Sequence, residues 1–300
     1  MKLGDIKDKV ILIDYEHGCH GNFLSTVLYK LIYDDKEKTS SNLRNYHDSN
    51  IPKIHITSKL CEQMYVLNEQ ININDININQ SLDITLPICF PLHYSNCDNI
   101  VGNDSFKTIG IYVDDDSWLR QYINSWFNAD ANSSISTEQI KDNDFFVQNF
   151  IKLLASHQPH IEQFVFPKCN IHHPNTHQFT KEEVLKILVL HITDKHNGTN
   201  EYGGGKFNSN RIINANYPVT MSLSHFYSLD SFVHAITNIR DTFGLQFEID
   251  VSYLQLEWEL FILKNHHINM NKIKFGYDSS LHLIEQAYSI FLANNTEVEK

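Results

Sequence analysis

The chain has 300 residues, 42% hydrophobic and 12% aromatic, enough to bury a sizeable core in one large domain or two modest ones. A net charge of −12 with histidine neutral weighs against a broad cationic track for nucleic acid, while a local basic pocket can still take a small anion. The five cysteines, Cys19, Cys61, Cys89, Cys97 and Cys169, show no C-x-x-C spacing, which argues against a disulfide framework or zinc knuckle and for reduced thiols in a cytoplasmic protein. No apolar run approaches the roughly 18 residues that span a bilayer, and the polar start Met1-Lys2-Leu3-Gly4-Asp5 does not read as a signal peptide.

The first element is the most informative. Val10-Ile11-Leu12-Ile13 leads through Asp14-Tyr15-Glu16-His17 into Gly18-Cys19-His20-Gly21-Asn22, and an amphipathic segment follows from Phe23 to Ile32. This reads as strand, glycine loop, helix. Glycines three apart let the backbone turn without Cβ clashes, and the first-turn N–H groups of a helix lack intrahelical acceptors, so the loop suits a phosphate or sulfate. The pattern G-x-x-x-x-G-K-[ST] is absent, because Asn22 and Phe23 follow Gly21, and so is G-x-G-x-x-G. An ordinary nucleotide kinase or ATPase is therefore not expected, and a plain strand-to-helix turn stands beside the anion site as the simpler reading.

Lys53 to Thr57 alternates as a short strand does. In Ile71 to Asn79 the apolar residues alternate but change phase at Asp75, as at a bulge, a tight hairpin or an inserted loop. Ile84 to Tyr94 holds an apolar run ending in His93. Thr108 to Val113 is a clear buried strand, stopped by Asp114-Asp115-Asp116, with Ser117 or Asp116 placed to cap a helix from Trp118 to Phe127. Alternating strand and helix predicts an α/β fold, a parallel sheet flanked by helices.

From Asp142 helices dominate: Phe145 to Ala155, Thr180 to Thr193 opened by the capping box Thr180-x-x-Glu183, Leu229 to Phe243 ended by Gly244, Val251 to Lys264, and Ser280 to Asn294. The stripes Trp118/Tyr122/Trp126 and Tyr253/Leu256/Leu260/Leu263 are expected in the core. With no repeat and no evident linker, a single α/β domain is the economical reading, residues 1–130 forming a nucleotide- or anion-binding half and 131–300 a mainly helical acceptor-side half.

The opening strand-loop-helix, the strand ending in His93, and the unit from Ile109 to Phe127, taken in order, resemble the nucleotide-binding half of the cytosolic sulfotransferases and their distant bacterial and phage relatives. Tyr217 to Met221, His225-Phe226-Tyr227 and the helix to Phe243-Gly244 resemble the strand leading into the late helices of remote members. The resemblance implies a P-loop-like fold, 3′-phosphoadenosine-5′-phosphosulfate (PAPS) as sulfonate donor, and transfer to a hydroxyl or amine of a small-molecule or peptide acceptor. It places Gly18, Cys19, His20, Gly21, Asn22 and Phe23 in the loop that holds the phosphosulfate, His93 as catalytic base, and Arg120 and Ser125 near the 3′-phosphate. The basic residue before the glycine and the G-T-T or G-T-S run of that family are absent here.

Within that reading His93, with the ordinary imidazole pKa near 6.5, suits proton abstraction, and a protonated His20 would add charge beside the anion. The simpler role for each is a hydrogen bond that ends a strand or caps a turn. Lys206 follows Gly203-Gly204-Gly205 in the one glycine-rich loop with a lysine and is a further phosphate ligand candidate, although such loops are commonly just flexible. The 17 histidines form local clusters, at His157/His160, His172/His173/His177 and His266/His267, without H-E-x-x-H spacing, so no metal centre is expected. Two alternatives stay open: a non-enzymatic or inactive protein of the same fold binding an anion or a protein partner, and a magnesium-dependent phosphotransferase using Asp114 to Asp116.

Overall fold

A computed structural model describes residues 2–15, 18–34, 70–77, 87–93, 100–102, 105–114, 117–119, 121, 168–169, 180–197, 209–272 and 278–296. Two compact units are formed, Met1–Gln121 with Asn208–Lys264, and Tyr122–Phe207 with Asn265–Lys300.

The first unit is built on a parallel sheet. Its strands are β1 (Val10–Tyr15), β3 (Ile88–His93), β5 (Lys107–Tyr112) and β6 (Val219–Ser222), in the order β3-β1-β5-β6. All three pairings are parallel, with Tyr15 opposite His93, Asp14 opposite Gly110 and Tyr112 opposite Ser222. All six residues of β1 are buried, as a strand covered on both faces requires, and this is why its sequence is a nearly continuous apolar run. The coarse α/β expectation holds. Short strands β2 (Ile71–Asn72) and β4 (Ile100–Val101) pair in parallel as a separate two-stranded sheet.

Helix α1 (Gly21–Ile32) lies on the Tyr15 side of β1, where the Ser25 hydroxyl donates to the Cys89 carbonyl at 3.3 Å. The opposite face carries Asp14 and Gly110. There Ile212 of α3 (Ser209–Asn214) and the Tyr217 ring approach Gly110 so closely that a Cβ would stand 2.7 Å from Tyr217 Cδ2. The Tyr217 hydroxyl donates to Asp14 Oδ2 at 2.6 Å, which gives the carboxylate buried in β1 its partner.

The phase change at Asp75 is a 3-10 turn, Ile73–Asp75. Its three-residue period puts Ile73 and Ile76 on one side, and both are buried. Leu3 donates to the Ile76 carbonyl at 2.9 Å, and Lys2 pairs with Asp75 at 2.7 Å on the surface.

Helix α4 (Leu229–Phe243) has the bounds its sequence predicts. Ser228 caps its start, and Phe232, Ala235, Ile236, Ile239 and Phe243 bury one face at helical spacing. Gly244 turns left-handed at φ 63°, and Leu245 donates back to the Arg240 carbonyl at 2.9 Å.

Helix α5 (Val251–Lys272) departs from its expected face. Tyr253, Leu254, Glu257 and Phe261 are buried, whereas Leu256 is 55% exposed. Glu257 displaces leucine from the stripe because Lys30 of α1 meets it at 2.6 Å, with the Tyr253 hydroxyl donating to the same oxygen at 3.1 Å.

In the second unit, α2 (Lys181–Asn197) packs against α6 (Asp278–Thr296). The capping box is formed: the Thr180 amide donates to Glu183 Oε2 at 2.8 Å, and the Glu183 amide to Thr180 Oγ1 at 3.3 Å. Val184, Ile187, Leu188 and Ile192 supply the buried face of α2, and Ala287 and Phe291 that of α6. The expected elements at 53–57 and 145–155 lie outside the described residues. So do residues 120 and 122–127 of the expected helix, of which 118, 119 and 121 are helical.

Candidate functional site

The C-terminal edge of the parallel sheet carries the Gly18–Phe23 loop after β1 and His93 at the end of β3. After β1 the chain next joins this sheet on one side, at β3, and after β5 it next joins on the other, at β6. Adjacent strands β1 and β5 thus lead off in opposite directions, and the crevice outside their C-terminal ends is the customary ligand position in such sheets.

At the end of β1 the backbone turns through two left-handed residues, Gly18 at φ 85° and His20 at φ 61°, the latter being the N-cap of α1. For a non-glycine residue that region is costly, so the surroundings must hold His20 in place. Leu24 donates to the His20 carbonyl at 3.2 Å, which starts the helix. Gly18, Cys19, His20, Gly21, Asn22 and Phe23 therefore stand together as expected from their order, but with distinct roles. Cys19 is buried, Gly21 lies flat against the Tyr15 ring, the Asn22 carbonyl accepts from Thr26 Oγ1 at 2.8 Å, and Phe23 points into the core.

That core is aromatic. Phe23 stacks on Phe261 at 4.2 Å between centroids and on Phe232 at 5.3 Å, with Phe226 tilted against all three. The His20 imidazole sits at its rim, edge-on to Phe261 at 4.8 Å and to Phe226 at 5.8 Å, with Nε2 3.0 Å from the Tyr227 hydroxyl. Loss of water around the ring lowers its pKa to about 3. The aromatic surroundings and this desolvation both disfavour a cationic His20 near pH 7.

His93 closes β3 directly opposite Tyr15, so its backbone shares the edge with the β1–α1 loop. Burial pushes the Cys89 thiol, four residues earlier, up to about 12, which makes it inert. His17, Arg120, Ser125 and Lys206 lie outside the described residues, as do Asp115 and Asp116.

Beyond β5, Asp114 organises a polar cluster that the sequence does not reveal. Its Oδ1 accepts from the Ser117 amide at 2.8 Å and from the Ser117 hydroxyl, and Oδ2 accepts from the Ser222 hydroxyl and from Ser224 Oγ at 2.9 Å. Partial burial opposes ionisation, but these bonds outweigh it and hold the carboxyl below its usual range. Asp114 and Ser117 together close the turn before the next helix, the Ser117 hydroxyl also accepting from the Asp114 amide at 3.2 Å. Ser222 and Ser224 come from the end of β6 and a 3-10 segment, Leu223–Tyr227, more than 100 positions away, and Ser222 also caps that segment by accepting from the Ser224 amide at 3.0 Å. Only the S-x-S pattern after an apolar strand hints at them.

Among the described residues no three His, Cys, Asp or Glu side chains come together as a metal site requires, and no helix is long and apolar enough to cross a membrane. Compared with protein-family models, with curated proteins and with solved structures, the chain gives no match.

Proposed function

We propose that this chain is a sulfotransferase-like protein that binds an anionic nucleotide at the C-terminal edge of β1 and moves a sulfonate from PAPS to a hydroxyl or amine of a small-molecule or peptide acceptor. One observation carries the reading: the glycine loop that starts α1 leaves β1 at the switch point of a parallel sheet, and the last residue of β3, His93, lies opposite Tyr15 in the strand on the other side of β1. In this reading the loop amides hold the sulfonate and His93 takes the acceptor's proton. The P-loop-like fold and the assignment of Arg120, Ser125 and Lys206 to the phosphates belong to the same proposal.

The described residues fit the donor in part. A helix start suits an oxyanion, but neutral His20 adds no charge, and Asp114 is a carboxylate at the same edge. Cations for the phosphates then fall to Arg120 and Lys206. These two observations favour, as second reading, a non-catalytic protein of this fold that binds a weaker anion or a protein partner.

Thermal unfolding with PAPS, adenosine 3′,5′-bisphosphate, ATP with magnesium, or inorganic sulfate separates the readings. A ligand at 100 times its Kd stabilises by about 2.7 kcal/mol. A shift specific to the two bisphosphate nucleotides, followed by sulfonate transfer to an acceptor panel, supports the transferase. Binding without transfer supports the second reading, a response to ATP with magnesium alone supports phosphotransfer, and silence from all four defeats the nucleotide proposal.

A further inference from the structure

We infer that Tyr227 is a positioning residue for the β1–α1 loop, its hydroxyl holding the His20 imidazole and through it the left-handed backbone from which α1 starts. The His20 Nε2 to Tyr227 Oη distance is 3.0 Å, and the two residues are 207 positions apart. A non-glycine residue at φ 61° persists only where its surroundings over-determine it. Three aromatic rings and this directional bond contribute to that constraint, and the bond fixes a ring nitrogen at a defined point.

Tyr227 can act as a fixed point because its 3-10 segment is tied on both sides. Ser222 and Ser224 anchor the segment's start to Asp114 at the end of β5, and Trp258 Nε1 of α5 donates to the Phe226 carbonyl at 2.9 Å. The chain of contacts therefore runs from the end of β5, through the 3-10 segment, to the loop after β1. These are the two strand ends that flank the switch point. For ligand binding the inference rests on the proposed anion site; for loop geometry it does not.

Tyr227→Phe removes the hydroxyl and keeps the ring. In the full chain, the His20 imidazole nitrogen shifts and the amide signals of Gly21 and Asn22 are expected to move while signals of α4 stay in place. The Kd for adenosine 3′,5′-bisphosphate is expected to rise about tenfold, as for loss of a hydrogen bond that orders a binding loop. His20→Asn, which tolerates the left-handed backbone, should raise the Kd on its own, and Y227F should add nothing in that background.

Unmoved imidazole and amide signals in Y227F, or effects of H20N and Y227F that simply add, overturn the inference. If the wild-type chain binds neither the bisphosphate nor inorganic sulfate, the functional proposal fails, and the positioning role is decided by the Gly21 and Asn22 amide signals alone. Should Y227F not fold, the imidazole nitrogen shifts of the wild-type protein decide: a hydrogen-bonded Nε2 in a neutral ring supports the role, and a freely titrating ring near pH 6.5 overturns it.

Discussion

The ring of Tyr15 fills the space that a side chain at position 21 would need: a Cβ built on Gly21 would overlap Cγ, Cδ1 and Cε1 of that ring. Tyr15 is buried and cannot step aside. Gly21→Ala is therefore expected to destabilise the chain by about 1–3 kcal/mol through overpacking, read as a lower denaturant midpoint. Tyr15→Leu should recover part of the loss in the double variant, with the coupling measured by a double-mutant cycle. A G21A protein with the wild-type midpoint contradicts this packing. The glycine thus has a structural reason that does not depend on any ligand.

Lys30 and Glu257 form a buried ion pair between α1 and α5, each less than one-tenth exposed. Removing one partner strands the other charge away from water, so Glu257→Ala and Lys30→Ala should each cost about 3–5 kcal/mol. Replacing both, as Lys30→Met with Glu257→Leu, should restore most of that stability, since two charges taken from water gain little over well-packed apolar groups. Urea unfolding of the three variants checks the pattern, and a double variant no better than the singles would contradict it.

What the sequence showed and hid divides along a physical line. Local signals were readable: the apolar run of β1, the Thr180/Glu183 box, and α4 with Gly244 at its end follow from backbone rules acting over a few residues. The site's neighbours were not. Ser222, Ser224 and Tyr227 reach Asp114 and His20 only because β6 docks beside β5, a pairing between positions over 100 apart. The α5 stripe misled for a related reason, since hydropathy gives Glu257 no place in a core and only the distant Lys30 supplies one.

His20 sets an acid limit on stability. Its folded pKa, lowered to about 3 by desolvation, lies below the ordinary 6.5. The unfolded chain therefore binds a proton at position 20 across the interval where the folded chain does not. The contribution is fully present above about pH 6.5 and is lost as pH falls from there toward 3. The slope approaches at most about 1.4 kcal/mol per pH unit from this one group, less because water reaches part of the ring. His20→Asn should flatten stability between pH 6 and 4 relative to wild type. Equal slopes in the two proteins would show that the imidazole is not desolvated.

Asp114 acts with the opposite sign. Serine hydroxyls and the Ser117 amide keep its carboxyl below the ordinary value of 3.8, so its contribution is present above that value and disappears as pH falls through the lower folded pKa. At neutral pH, Asp114→Ala releases the hydroxyls of Ser117, Ser222 and Ser224 together, and about 1–2 kcal/mol should be lost, a figure discounted because water screens a partly exposed carboxylate. The loss should be local in origin. Because Ser222 and Ser224 fasten the Leu223–Tyr227 segment to β5, hydrogen exchange should quicken at Phe226 and Tyr227 in D114A while α2 and α6 of the other unit keep their wild-type protection. Uniform acceleration across both units would mean that the variant lowers global stability and that the carboxylate does not anchor the segment that holds His20.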